Sequence, residues 1–146
     1  MIHKSPTLAA ATTLLLAGFL SAAPAEAKLK EAEVAFQARD FATALKELKP
    51  YFKKKRQPVK ASLMMARMYL DGLGVPVNYS RAYQYLQRPA KSGNAWAATE
   101  LGKLYLTGSG VMQSFDDARG WFEKAARHGY APAQVELGHI HRKGLS

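Results

Sequence analysis

The chain contains no cysteine. That excludes disulfide staples, thiolate nucleophiles, thiolate-held metal ions and a lipid-modified cysteine at a processed N-terminus. Acidic residues are scarce, 11 against 21 Lys and Arg, which leaves a net charge of +10. An excess of that size favours an acidic partner or surface. Catalytic signatures are missing too. The sequence has no Ser-x-x-Lys, no Gly-x-Ser-x-Gly, no His-Glu-x-x-His and no phosphate-binding loop, so no catalytic residue, cofactor site or metal site is assigned. His139 and His141 look like a metal pair in one dimension, but residues two apart on a helix point about 200° from each other. His141 reads instead as a packing histidine and His128 as a helix-end residue.

Long apolar runs are confined to the N-terminus, where His3 and Lys4 precede an uncharged stretch over residues 5–24 that leads into Ala25-Glu26-Ala27. This is the pattern of a secretory signal peptide, residues 1–27, with small residues at the two positions a signal peptidase must accommodate. The expected mature chain starts at Lys28 and keeps the whole net charge, because Lys4 and Glu26 leave together. A periplasmic or secreted protein is expected, with no transmembrane segment after cleavage and no nucleic-acid partner. The remaining residues, about 120, suit one domain or a short solenoid.

Internal repetition is plain. The run Arg67-Met68-Tyr69-Leu70-Asp71-Gly72-Leu73-Gly74-Val75 realigns on Lys103-Leu104-Tyr105-Leu106-Thr107-Gly108-Ser109-Gly110-Val111 with a shift of 36 residues. The same shift carries Ala61 to Ala97 and Ala133, Tyr85 to Trp121, Leu86 to Phe122, and Gly102 to Gly138. Each repeat reads as two amphipathic helices. In the first, Ala97, Leu101, Leu104 and Tyr105 share a face; in the second, Phe115, Ala118, Phe122 and Ala125 do. A Gly-x-Gly-Val turn joins them, Asn78 and Ser114 are placed to cap the second helix, Gly93 and Gly129 follow its end, and Pro132 suits a first helical turn.

Glycine inside a helix costs about 1 kcal/mol relative to alanine. Gly102 and Gly138 therefore predict close helix approach, with Trp121 or Phe122 lying across the bare backbone and with room for alanine but not leucine. Pro89 predicts that its helix kinks or stops near Gln87.

The pattern Leu-Gly-x-x-Tyr-x-x-Gly-x-Gly-Val, followed by an aromatic, Ala and Trp-Phe-x-Lys-Ala-Ala, resembles the Sel-1-like repeat, a relative of the tetratricopeptide repeat. The opening Ala35-Phe36-Gln37-Ala38-Arg39-Asp40-Phe41 resembles the helix pair that precedes such repeats in exported bacterial proteins. The resemblance implies an all-α fold, a short right-handed α-solenoid of stacked antiparallel helix pairs: a degenerate first pair at 29–58, repeats at 59–94 and 95–130, and a truncated repeat at 131–146. It also implies a non-enzymatic protein-interaction scaffold or adaptor, here in the bacterial envelope and expected to be a monomer.

Stacking by 36 residues places Arg67, Lys103 and His139 in one row, and Met64, Glu100 and Glu136 in a second row beside it. First helices line the concave surface of such solenoids. Met64, Arg67, Trp96, Glu100, Lys103 and His139 are thus the candidate groove for an acidic protein partner, with Trp96 as its anchor. Lys53, Lys54, Lys55 and Arg56 form a second candidate, a patch for an envelope polyanion. Alternatives of a different kind are a periplasmic immunity-type inhibitor of a toxic enzyme, a cell-wall or polysaccharide-binding module and, last, a hydrolase.

Overall fold

The computed structural model describes residues 24–53 and 57–145. Seven α-helices follow one another: α1 (Pro24–Gln37), α2 (Phe41–Leu48), α3 (Val59–Asp71), α4 (Tyr79–Lys91), α5 (Ala95–Thr107), α6 (Phe115–Ala126) and α7 (Ala131–Lys143). A short 3-10 turn, Lys49–Lys53, follows α2. No strand occurs among the described residues. The apolar run expected to be a signal sequence lies outside them, as do Lys54, Lys55 and Arg56. At Pro24, α1 is already helical, before the expected mature start at Lys28. The Tyr51 hydroxyl donates to the carbonyl of Ala25 in this first turn.

Consecutive helices pack in antiparallel pairs that stack into a solenoid. The alanines that recur every 36 residues are the contact points. Ala61, Ala97 and Ala133 are each wholly buried, as are Ala82 and Ala118. Two apolar cores run into each other along the stack. One joins Ala32 and Leu48 to Met65, Met68 and Tyr69; the other centres on Leu101, Leu104, Phe122 and Ile140. Full burial of a side chain like Phe122 is worth roughly 2–3 kcal/mol.

Side chains just outside the helices fix where they start. Asp40, Asn78, Asn94 and Ser114 accept from the backbone N–H groups of Thr43, Arg81, Ala97 and Asp117 at 3.1, 2.9, 2.8 and 3.2 Å. Each would otherwise be one of the unpaired donors of a first turn. The turns repeat with the helices. The N–H of Asn78 bonds to the carbonyl of Tyr69 at 2.9 Å, and that of Ser114 to Tyr105 at 3.0 Å. Gly110 has φ of +72° and lies flat on the backbone of Tyr79 and Ser80, so both its conformation and its contact exclude a side chain.

Four details differ from the sequence expectations. Helix α4 does not stop at Gln87 but runs to Lys91 with Pro89 buried inside it. The proline falls in the last turn, where it removes a single backbone bond, and its own carbonyl still accepts from Asn94 at 3.0 Å. Gly102 is covered by Phe122, one of the two side chains expected there, but so tightly that a Cβ would lie 2.6 Å from the ring. The room expected for alanine is absent. Gly138 has nothing within 4 Å of its missing Cβ, so close approach does not explain it. His141 is exposed, whereas Tyr105 at the equivalent position is partly buried and packs edge-on against Tyr83 of α4.

Candidate functional site

Helices α3, α5 and α7 leave one face free of the core. On it, Arg67 and His139 are exposed, while Met64, Trp96, Glu100 and Lys103 are half-buried. The stacking that aligns these positions does not leave them as two independent rows. Lys103 Nζ lies 2.9 Å from Glu100 Oε1, and His139 Nδ1 lies 3.8 Å from Glu136 Oε2. Within each helix, then, a residue of the acidic row faces a residue of the basic row three positions later. Lys60, at the start of α3, is likewise held by Glu33 of α1 at 2.9 Å. Exposed pairs of this kind are worth only about 0.3–0.5 kcal/mol, yet they leave a carboxylate beside two of the three residues in the basic row.

Arg67 is different. Among the described residues no carboxylate lies within ion-pair distance of it. Its guanidinium carbon instead lies 5.1 Å from the centroid of the Trp96 ring, an attraction between a cation and the negative face of the indole. The two close one side of a cavity of about 250 Å³ with Phe36, Leu63, Met64 and Asn94. Asn94 is fixed there by its capping bond to Ala97, and Trp96 projects from the helical turn that this cap begins. Trp96 thus packs against the apolar core and carries the Arg67 guanidinium over its ring.

Phe36, Leu63 and Asn94 were not among the residues the sequence pointed to. Asn94 carries a signal, since it occupies a cap position like Asn78. Phe36 belongs to α1, where the 36-residue register does not apply. Lys53 is exposed at the end of the 3-10 turn.

A larger cavity, about 970 Å³, shares no lining residue with the Trp96 cavity. It is an open recess beside the α5–α6 turn, bounded by Tyr83, Tyr105, Val111, Phe115 and Leu145 with Asp116 and Asp117 at its rim. Inside it the hydroxyls of Tyr83 and Tyr105 are 2.9 Å apart. That bond, followed by burial, pushes the Tyr105 phenol up to about 12. Among the described residues no three His, Asp or Glu side chains come together as metal ligands, and no helix is long and apolar enough to cross a membrane.

A family model described as Sel1 repeat matches residues 59–94, 97–130 and 131–146. The fold is similar to the Sel1 repeat protein from Oxalobacter formigenes, with 28% identity and a TM-score of 0.67 over 77% of this chain and 46% of that one. It is also similar to c5321, a protective antigen present in uropathogenic Escherichia coli strains that displays an SLR fold. Identity there is 26% and the TM-score 0.73, over 84% of this chain and 27% of that one. The chain therefore spans about half the length of the first and about a quarter of the second. No curated protein matches it significantly.

Proposed function

The chain belongs to the Sel1 repeat family, whose members are generally protein-interaction scaffolds, and from that premise we propose that it is a non-enzymatic adaptor of the bacterial envelope. Its α3, α5 and α7 face binds an acidic segment of a protein partner. The observation that carries this reading is the Arg67–Trp96 stack beside a cavity of about 250 Å³, with no carboxylate among the described residues within ion-pair distance of the arginine. Aromatic and arginine side chains dominate interface energetics when they become desolvated, and a cation without an internal partner gains most from an incoming carboxylate. The uncharged run over residues 5–24 supports export to the periplasm or beyond.

The test begins with crosslinking and co-purification from intact envelope, followed by binding kinetics with the purified partner. Arg67→Glu with Lys103→Glu should slow association, more at low salt than at high salt, because charge steers encounter and salt screens it. Trp96→Ala should act on dissociation and cost about 2 kcal/mol or more. If both variants bind like the unaltered protein while substitutions of Lys53, Lys54, Lys55 and Arg56 abolish capture, the basic loop is the binding site and this reading fails.

A further inference from the structure

One exchange between the two full repeats reverses the charge beside a tyrosine they share. In the first repeat, Arg81 of α4 lies over Tyr69 of α3. Its guanidinium carbon is 5.5 Å from the ring centroid, and its Nη1 donates to the Tyr69 hydroxyl at 2.8 Å. The chain thus supplies this tyrosine with a cation of its own. A shift of 36 residues carries Tyr69 to Tyr105 and Arg81 to Asp117. The tyrosine is kept and its cation becomes a carboxylate.

Asp117 is exposed, and among the described residues no cation lies within ion-pair distance of it. Its neighbour Asp116 is held by Arg119 at 3.3 Å. The first turn of a helix favours an acidic residue, which accounts for Asp117 but not for the recess of about 970 Å³ that it borders. Tyr83, Tyr105 and Phe115 give that recess aromatic walls, and Val111 and Leu145 give it aliphatic ones. The hydrogen bond with Tyr83, then burial, raises the Tyr105 phenol, and the nearby charge of Asp117 adds to this.

We propose that the recess takes the arginine side chain of a protein partner, its guanidinium lying against Tyr105 and paired with Asp117. The aliphatic stem passes over Val111 and Leu145. The first repeat holds the same chemistry within the chain, one guanidinium both stacked on a tyrosine and hydrogen-bonded to it. In the second repeat the Tyr105 hydroxyl is already bonded to Tyr83 at 2.9 Å, and the Asp117 carboxylate serves as the acceptor instead. Arginine suits this site better than lysine. A planar guanidinium stacks on a ring and meets a carboxylate with two parallel bonds, whereas an ammonium is a compact, strongly hydrated point charge. The recess shares no lining residue with the Trp96 cavity and prefers the opposite charge, so this proposal stands apart from the acidic segment assigned to that cavity.

The experiment follows the backbone amide resonances of isotope-labelled protein during titration with the capped peptide Ser-Gly-Arg-Gly-Ser and with its lysine and citrulline counterparts. Citrulline keeps the shape of arginine and removes its charge. The arginine peptide should move the amides of Tyr105, Val111, Phe115 and Asp117 and bind at least about tenfold tighter than the citrulline peptide, the difference expected for a hydrogen bond to a charged group. The lysine peptide should fall between them. Asp117→Asn should bring the arginine peptide down to the citrulline level. Asp117→Arg should do the same, because it lays a guanidinium over Tyr105 as Arg81 lies over Tyr69. The substituted side chain is exposed, and circular dichroism should show unchanged helix content in both variants. Equal binding of the arginine and citrulline peptides overturns the proposal, as does arginine binding that survives Asp117→Arg. If spermine moves these amides and the arginine peptide does not, the occupant is a small polyamine. If sedimentation shows self-association that Asp117→Asn abolishes, the occupant is a second copy of the chain. Either result overturns the assignment to a partner's arginine.

Discussion

Gly102 and Gly138 are equivalent in the repeat, and replacing each with alanine should move stability in opposite directions. At Gly102 the added Cβ would lie 2.6, 2.7 and 2.9 Å from Cε1, Cδ1 and Cζ of Phe122, whereas carbon atoms in contact settle at about 3.5–4.0 Å. The ring is fully buried, so it must retreat by roughly 1 Å into a packed core. Overpacking of this kind costs about 1–3 kcal/mol. Alanine recovers about 1 kcal/mol of helix propensity, which leaves Gly102→Ala destabilised by roughly 1 kcal/mol. At Gly138 nothing lies within 4 Å, the propensity gain is unopposed, and Gly138→Ala should be stabilised by up to about 1 kcal/mol. The two melting temperatures should therefore separate by about 5–10 °C.

Far-UV circular dichroism melts would show the separation, and urea titrations with an unchanged slope would confirm that it reflects the folded state. Phe122→Leu in the Gly102→Ala background supplies a second check. A shorter side chain relieves the contact, so the double variant should lose less than the sum of its parts. If Gly102→Ala raises the melting temperature as much as Gly138→Ala does, Phe122 does not lie across α5 and the stacking of α6 on α5 is wrong at its centre.

Asn78→Ala removes the side-chain acceptor for the Arg81 N–H and should cost about 1 kcal/mol in a denaturant titration, with α4 fraying first in hydrogen exchange. Tyr105 is held protonated in the folded chain, up to about 12 against an ordinary value of 10.0. Its contribution to stability is therefore complete below pH 10 and is lost as pH rises toward 12. The stability difference between the unaltered protein and Tyr105→Phe should shrink across that window; a constant difference would mean that the Tyr83 hydroxyl does not hold the proton in place. Intact-mass measurement on exported protein should give a chain starting at Lys28. A retained N-terminus on a membrane-bound product would remove the export assignment.

The repeat was legible because its contact points are the residues least free to vary. Small side chains at Ala61, Ala97 and Ala133, and the turn glycines at Gly74 and Gly110, are set by how closely backbones approach, and they recur with the spacing of the helices. The identity of a covering side chain is not set that way. Trp121 and Phe122 are adjacent on α6 and point about 100° apart, and periodicity alone does not fix the rotation of α6 that brings Phe122 onto Gly102. Pro89 misled for a similar reason. Its missing N–H is a local fact, but the cost depends on how many turns follow, and here α4 ends two residues later. Phe36 escaped notice because the first helix pair breaks register: Phe41 and Tyr79, which open α2 and α4, are 38 residues apart, whereas Tyr79 and Phe115 are 36 apart.

The excess of positive charge, conspicuous in the sequence, is a poor guide to where the binding face is strongest. Of the three residues in its basic row, Lys103 and His139 each have a glutamate three positions earlier, and an incoming carboxylate must compete with it. Each such pair is weak, about 0.3–0.5 kcal/mol, so competition is possible but the gain is reduced. Met64 stands where those glutamates stand in the later repeats, and among the described residues no carboxylate lies within ion-pair distance of Arg67. The methionine also supplies an apolar wall for the Trp96 cavity. A single substitution between repeats therefore places the unopposed cation and the aromatic anchor together at the N-terminal end of α5, and polarity along the face arises from this difference between its repeats.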